Sequence, residues 1–374
     1  MKEYLWQKPD WQEMKIDYGD GKLAELLAEA RFAQGQVLGK IASLDLHAQL
    51  EAESRVLISE ALQTSRIEGV ELNVDSVRSS VATRLGLPEG LGYEQKRHHD
   101  RHSEGVVDIL LDAVQNHDAA LTENRLHGWH AALFPTGYSG IHKIDVACFR
   151  KGTMHVVSGN MKEETVHFEA PPPEKVAAEM AAFLRWFNGS LRTLDGLVRA
   201  AQAHLKFVTI HPYDDGNGRL SRAITDMACS QDEGLPYRAY SLSLEIMNQR
   251  QGYYQILEAV QNGSASLSDW FRWFLRMYTQ AIANTETIIE DAFFKAAFWN
   301  QHKGKPLNER QQKVVARMLE AGKAGFEGGM TTRKYSSLAK TSKATAYREL
   351  EDLCQKEMLQ SQGAGRSVHY ALAS

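Results

Sequence analysis

Twelve consecutive residues, His211-Pro-Tyr-Asp-Asp215-Gly-Asn-Gly-Arg219-Leu-Ser-Arg222, bring together a base, a carboxylate, two glycines and two arginines. His211 is the group in this stretch able to take a proton near neutral pH. An apolar helix is predicted to end at Ile210, and Pro212 cannot continue it. Gly216 and Gly218 permit positive φ and a close approach of a ligand to the backbone. From about Gly218 the chain turns helical again, and a helix N-terminus offers an anion unpaired N–H groups and the positive end of a dipole. Arg219 and Arg222 are three apart, so both can reach one phosphate from the same helix face. A carboxylate beside phosphates, Asp215, points to a shared Mg²⁺. No Lys-Ser/Thr pair follows the glycines, so this is not a Walker A loop. A glycine-rich turn with surface charges would be the reading for a lone Gly-x-Gly; the close grouping of these residue types favours chemistry on a nucleotide phosphate.

The elements that must position this loop read mostly as helices. Lys22–Leu38 places Leu23, Leu26, Leu27, Ala30 and Phe32 near one face and ends with Gly39. A second helix runs from about Leu46 to Ile67, stopped by Gly69. Further helices are predicted over Gly105–Asn116, from Thr122, over Glu174–Asn188, Leu197–Ile210, Ser221–Ser230 and Tyr253–Gln261, and along LSDWFRWFLRMYTQAI. Between Gly137 and Gly159 the pattern changes, and the β-branched His155-Val-Val-Ser158 reads as part of a hairpin. Nothing repeats at a solenoid period. His98, His99 and His102 could place two imidazoles at i and i+4 but have no carboxylate or cysteine at matching spacing; His127 and His130, in an apolar helix, read as packed or hydrogen-bonded.

Composition bounds the class. The chain has 374 residues, 43% hydrophobic and 24% charged, with a formal charge of −4, enough for two or three domains and not a polybasic nucleic-acid coat. No apolar run approaches the roughly 20 residues that span a bilayer, and the opening MKEYLWQKPDW lacks a basic segment followed by an apolar one, so no membrane partner and a cytoplasmic location are expected. Cys148, Cys229 and Cys354 lie too far apart in sequence for a disulfide framework or a zinc quartet on their own. The charge is unevenly spread. Residues 303–374 carry a net +6 and the preceding 302 a net −10, which suggests a separate tail module with its own partner.

The loop resembles the signature of the Fic family, His-x-Phe-x-(Asp/Glu)-Gly-Asn-Gly-Arg-x-x-Arg. Every position matches except Tyr213, where the family carries a Phe that anchors the loop in the core; a Tyr serves if its hydroxyl finds a partner. The relative Doc has lysine in place of the second glycine and transfers phosphate, so Gly218 favours the nucleotidyl-transferring branch. The resemblance implies a mainly α protein: a Fic-type helical domain with a β-hairpin flap, behind an N-terminal helical domain. It implies that His211 deprotonates a hydroxyl, Asp215 holds Mg²⁺, Gly216, Asn217, Gly218 and Arg219 cradle the α- and β-phosphates of ATP, and Arg222 grips the γ-phosphate. AMP would pass to a Ser, Thr or Tyr of an unnamed target protein or of the chain itself, with pyrophosphate leaving. The hairpin with Ser158 and Gly159 falls where the family has its flap. The run Tyr253-Tyr254-x-x-Leu-Glu-x-x-Gln261, by spacing an amphipathic helix with core tyrosines, resembles the segment that closes over adenine.

Thr64-Ser-Arg-Ile-Glu68-Gly69 has four-residue spacing that puts Thr64 and Glu68 on one helix face. Gly69 ends the helix and leaves Glu68 at the unfavourable end of its dipole, where a carboxylate wants a cation. The stretch resembles the Fic inhibitory motif (Ser/Thr)-x-x-x-Glu-(Gly/Asn), which implies that the cation is Arg222. The expected organisation is an N-terminal helical domain over 1–95, a catalytic domain over 96–280, a linker helix over 281–302 and a tail domain over 303–374.

The tail reads as helices over Asn308–Ala321 and Thr332–Lys340, a third opened by Thr341-Ser342, and two strands around Gly363-Ala-Gly365. That order is similar to a winged helix-turn-helix. DNA contact would then fall to Ser342, Lys343, Thr345, Tyr347 and Arg348 on the third helix and Arg366 on the wing; docking to protein, including a homodimer, is the alternative. Two rival readings of the whole stay open: removal of AMP by the same site, with Glu68 positioning water, and a DNA-binding regulator whose body senses nucleotide.

Overall fold

A computed structural model of the chain describes residues 3–16, 19, 21–87, 100–160, 163–322, 326, 328–363 and 367–373. It is mainly α. Helices α1 (Lys22–Ala42), α2 (Leu46–Ile67) and α3 (Val74–Arg84) precede α4 (Arg101–Gln115) and α5 (Glu123–Leu133). Two antiparallel hairpins follow, β1 (Tyr138–Ser139) with β2 (His142–Lys143) and β3 (His155–Asn160) with β4 (Glu163–Glu169). Then come α6 (Pro173–Gly189), α7 (Gly196–Ile210), α8 (Asn217–Glu233), α9 (Leu242–Asn248), α10 (Arg250–Gln261) and α11 (Leu267–Gln301). The tail adds α12 (Glu309–Glu320), α13 (Thr332–Leu338), α14 (Lys343–Gln355) and the hairpin β5 (Leu359–Gln362) with β6 (His369–Leu372).

The centre of the body is α7 packed along α8. The sequence of α7, GLVRAAQAHLKFVTI, is apolar nearly all round, as a helix must be to sit inside a core, and every residue from Leu197 to Ile210 is buried. Asp195 starts it by accepting from the N–H groups of Leu197 and Val198 at 2.9 and 3.2 Å. Pro173 occupies the first turn of α6, where its missing N–H costs nothing. Helices α2, α4 and α5 pack on α8 from the outside. α2 is capped by Asp45 and pinned along its length by Glu60, whose carboxylate accepts from Ser241 Oγ (2.7 Å) and Ser243 N (3.0 Å) at the start of α9. The last turn of α2 is therefore held where it meets α8.

Three local expectations change. Phe32 is 70% exposed, because with Leu23, Ala30 and Val37 facing inward it falls on the outer side of α1. Gly39 does not stop α1, which continues to Ala42; packing on α11 outweighs the roughly 1 kcal/mol preference of glycine against helix. The helix beginning at LSDWF runs unbroken for 35 residues, so it and the expected linker helix over 281–302 form one element. Of the three clustered histidines, His98 and His99 lie outside the described residues and His102 is exposed.

The tail has its own core of Val314, Val315, Leu319, Tyr335, Leu350 and Leu353, joined by Phe298 from the end of α11. Met330 bridges Tyr370 through reciprocal N–H···O bonds of 2.9 and 2.7 Å, adding a third segment to the terminal hairpin. Among the described residues no helix is long and apolar enough to cross a membrane.

Candidate active site

The reactive loop joins α7 to α8. α7 ends on His211 itself, which caps it in the left-handed region at φ 51°, ψ 60°. That conformation is costly for a residue with a Cβ and persists only where the surroundings over-determine it. The surroundings do so here. His211 Nδ1 lies 3.1 Å from the Val208 carbonyl; a carbonyl only accepts, so Nδ1 carries the proton and Nε2 is left with the lone pair. Burial pushes the His211 imidazole below its ordinary pKa and Arg150 adds to this, while the Val208 carbonyl, Glu68 and Asp215 act the other way. The ring is therefore neutral, a base with its acceptor atom fixed.

Tyr213 is fully buried and anchors the loop. Its ring stacks on His130 at a centroid distance of 4.2 Å and its hydroxyl meets His127 Nδ1 at 2.9 Å. The hydroxyl thus has the partner that a Tyr at this position requires. His130, held neutral by burial with its pKa down at about 4, accepts from Ala147 N (3.1 Å) and donates to the Asp215 carbonyl (3.1 Å). The pair of histidines on α5 thus ties the aromatic anchor to the carboxylate-bearing residue.

Asn217 differs from expectation. Its amide closes the loop on itself, donating to Tyr213 O (2.8 Å) and accepting from Tyr213 N (3.0 Å), and it is buried. The side chain braces the loop; what residues 217–219 offer an anion is their first-turn N–H groups, which no helical carbonyl can satisfy. Gly216, at φ 83°, starts α8, and a Cβ there would lie 2.9 Å from the Phe134 ring, so glycine is required both by conformation and by space.

The two arginines diverge instead of sharing a face. Arg219 lies over the Phe134 ring at 4.9 Å and 3.7 Å from Asp215, and its Nε is buried without a hydrogen-bond partner among the described residues. Arg222 turns to α2. Its Nε donates to Thr64 Oγ1 (2.7 Å), and its Nη2 donates to Thr64 O (2.7 Å) and Glu68 Oε1 (2.8 Å). Burial disfavours the Arg222 charge, while the Glu68 carboxylate, with Tyr253 and Tyr254 adding to it, holds the guanidinium above its ordinary pKa. Glu68 caps α2, and Gly69 at φ 77° turns the chain away. The carboxylate does more than pair: a Cβ on Gly218 would fall 2.0 Å from Glu68 Oε1 and 3.1 Å from Arg222 Nη1. Glu68 lies on the first turn of α8, in the place the loop prepares for an anion.

Asp215 accepts from Gly216 N at 2.5 Å and from Ser139 Oγ of the β1–β2 hairpin. Its side chain is 39% exposed. Among the described residues no group of three or more His, Cys, Asp or Glu could hold a metal by itself. A lone accessible carboxylate beside a phosphate site still fits Mg²⁺, which takes most of its ligands from phosphate oxygens and water.

Tyr253 and Gln261 are not placed as expected. Tyr253 is buried with its hydroxyl 2.9 Å from His204 Nε2, and Gln261 donates to Thr209 Oγ1 at 3.2 Å. Both face the core, which is what helical spacing alone indicates. The site-facing residues of α10 are instead Tyr254 and Arg250, which donate to the Ile67 carbonyl at the end of α2 at 3.1 and 2.9 Å. In the flap, Ser158 pairs with Thr165 and Gly159 with Glu164. The base of that hairpin is held by the N-terminal segment, with Trp6 Nε1 donating to Glu169 O at 2.7 Å. In the tail, Lys343 and Arg348 on α14 are exposed and Thr345 is half-buried; Arg366 lies outside the described residues.

Sequence reading missed Ser139, Arg150 and Arg250. Each acts across a long sequence separation, and no local spacing marks it.

Residues 120–229 match the Fic/DOC family and residues 4–87 a domain of unknown function, DUF4172. Over 124 residues the chain is 42% identical to a uridine 5′-monophosphate transferase of Xanthomonas campestris, covering 32% of this chain and 22% of that protein. Over 230 residues it is 26% identical to protein adenylyltransferase Fic of Drosophila melanogaster, covering 55% and 45%. The chain thus spans less than half the length of these curated relatives. A crystal structure of a Fic family protein from Desulfovibrio desulfuricans shares the fold with a TM-score of 0.53 at 20% identity, over 94% of this chain and 95% of that one.

Proposed function

With residues 120–229 forming a Fic/DOC family domain, we propose that the protein is a protein adenylyltransferase that moves AMP from ATP to a Ser, Thr or Tyr hydroxyl and is restrained by its own Glu68. The observation that carries this reading is the meeting of a neutral, oriented His211 with a helix N-terminus already occupied by a carboxylate. An anion site shaped for phosphate and a base aimed beside it are the two parts that hydroxyl-to-phosphorus chemistry needs.

In this mechanism His211 Nε2 takes the proton of the target hydroxyl. The oxygen bonds to the α-phosphorus as the bond to the bridging oxygen breaks, and pyrophosphate leaves with that electron pair. The first-turn N–H groups of α8, Arg219 and Arg222 hold phosphate charge. Asp215 would hold Mg²⁺, which when bound supplies further neutralisation of that charge. Asp215→Ala should cost at least roughly tenfold in AMP transfer, and excess chelator should have a similar effect on the parent. Label transfer from α-³²P-ATP checks both, and full activity in chelator contradicts the Mg²⁺ role. A relative that transfers UMP makes α-labelled UTP the necessary parallel substrate; label passing from UTP and not ATP would change the nucleotide and keep the site. Removal of AMP with Glu68 orienting water is the second reading, favoured by the position of Glu68 Oε1 on Gly218. Loss of label from a pre-modified protein, faster in the parent than in Glu68→Gly, would support it.

The domains proposed are residues 1–95, 96–280, 281–302 and 303–374, with the protein acting in the cytoplasm, and the tail is proposed as a winged helix that meets DNA through α14. The support is the order α12, α13, α14, β5, β6 with exposed Lys343 and Arg348 on α14 and the tail's net +6. Lys343→Glu with Arg348→Glu should weaken duplex DNA binding by roughly tenfold or more at low salt and leave AMP transfer unchanged. Mobility shifts that do not respond to these changes would leave protein docking as the tail's role.

A further inference from the structure

Arg150 lies outside the reactive loop and outside the α2 motif, in the segment leading into β3. It is 2% exposed, and its described partners are backbone carbonyls. Nε donates to His211 O at 2.7 Å, Nη1 to Gly152 O at 2.8 Å and Nη2 to Pro171 O at 2.5 Å, with a longer approach of Nη2 to Ile210 O at 3.5 Å. Its own N–H donates to Pro212 O at 2.9 Å. One guanidinium thus joins three pieces of chain: the end of α7, the strand entering the β3–β4 hairpin and the strand leaving it.

Two physical consequences follow. The last carbonyls of α7 have no helical partners and carry the negative end of its dipole; Arg150 satisfies them with a fork and a charge. This fixes His211 in a left-handed conformation that an unsupported chain would leave. The same fork also sets the root of the hairpin against His211, since Gly152 and Pro171 flank the pair closed by Ala170 N donating to Met154 O at 3.0 Å. A lysine could neutralise the dipole but could not reach three carbonyls at fixed angles.

We infer that Arg150 is a positioning residue for proton abstraction, holding the backbone of His211 and the root of the β3–β4 hairpin in one register. The inference rests on the adenylyltransferase reading for the step it serves. The contact itself is tested separately, by the titration of His211. The Arg150 charge bears on the imidazole alongside those of Glu68 from α2 and Asp215 from the loop, so removing the one cation among these should move the titration up.

The experiment uses the full chain with Glu68→Gly, into which Arg150→Lys and Arg150→Met are placed. Three quantities are read: self-modification from α-³²P-ATP at saturating nucleotide, the dissociation constant for ATP, and the His211 titration midpoint by NMR of histidine-labelled, nucleotide-free protein. Both variants are expected to lose on the order of 10²-fold in turnover, the cost of misplacing a reacting group by about 1 Å, with ATP affinity unchanged. The His211 midpoint should rise in Arg150→Met and stay in Arg150→Lys. Unchanged turnover in both variants, equal losses of turnover and ATP affinity, or an unmoved midpoint in Arg150→Met would overturn the inference. If Arg150→Met does not fold, Arg150→Lys decides it through the separation of turnover from ATP affinity. If Glu68→Gly itself transfers no label, the adenylyltransferase reading fails, and the midpoint still reports on the Arg150 contact.

Discussion

His211→Ala should reduce AMP transfer by on the order of 10²–10⁴-fold, the usual contribution of a positioned general base, while ATP binds as tightly as in the parent. The reason lies in the division of labour at the end of α7. The groups proposed to hold phosphate are the first turn of α8 and Arg222, and none depends on the imidazole. The loop is braced without it, through the Asn217 amide, the stack of Tyr213 on His130 and the Arg150 fork. Removing the ring therefore takes away the proton acceptor and little else. Pre-steady-state transfer and a nucleotide-binding titration on the same variant separate the two effects. A loss of less than about tenfold would place the base elsewhere.

The same residue sets a pH dependence. In the proposed mechanism the neutral imidazole is the active form, and burial together with Arg150 holds its pKa below the ordinary value near 6.5. The acid limb of the rate profile should then lie below the range of a free histidine, with activity rising as pH climbs through the lowered pKa and flat above it.

How much of this was legible beforehand depended on how local each signal is. The loop 211–222 and the end of α2 at Gly69 are written in consecutive residues: a proline that stops a helix, glycines that turn it, and charges at helical spacing. The structure places His211, Asp215, Gly216, Gly218, Arg222, Thr64 and Glu68 around one helix N-terminus, and that grouping needs only the ends of two helices to meet. What sequence could not supply is long-range. Arg150 reaches His211 across 61 positions, and Ser139 reaches Asp215 across 76. Neither sits in a periodic pattern that singles it out. Tyr253 and Tyr254 show the opposite failure. Helical spacing puts one tyrosine in the core and one outside, and here it is a better guide than family likeness: Tyr253 packs on His204 while Tyr254 meets the end of α2. Arg219 and Arg222 share a helix and a three-residue interval, yet Phe134 draws one aside and Thr64 and Glu68 draw the other. Spacing gives reach; the neighbouring elements decide the direction.

Glu68→Gly should raise self-modification by roughly ten- to two-hundred-fold. Arg222 is buried, and Glu68 and Thr64 between them take up its Nε and Nη2. For a phosphate to use that guanidinium it must displace a carboxylate already in place. It must also enter a space that the carboxylate fills, since Glu68 Oε1 lies where even a methyl group on Gly218 would collide. The charge-assisted bonds oppose displacement by about 1.5–3 kcal/mol, which sets the range of the expected gain. The variant keeps Gly69 and its positive φ, so the turn after α2 survives; Glu60 still pins the helix to α9, so the change is confined to the site. Adding Arg222→Ala should abolish the gain, because the freed space then lacks its cation, while Thr64→Ala should give a smaller gain by removing one of the bonds that orient Arg222 toward α2. Transfer from α-³²P-ATP for the parent, both single variants and the Glu68→Gly Arg222→Ala pair forms the measurement. Equal transfer by folded parent and Glu68→Gly would show that the carboxylate does not restrain the site. A gain that persists in the pair would show that restraint works through blocked space alone, with Arg222 serving only to hold Glu68 there.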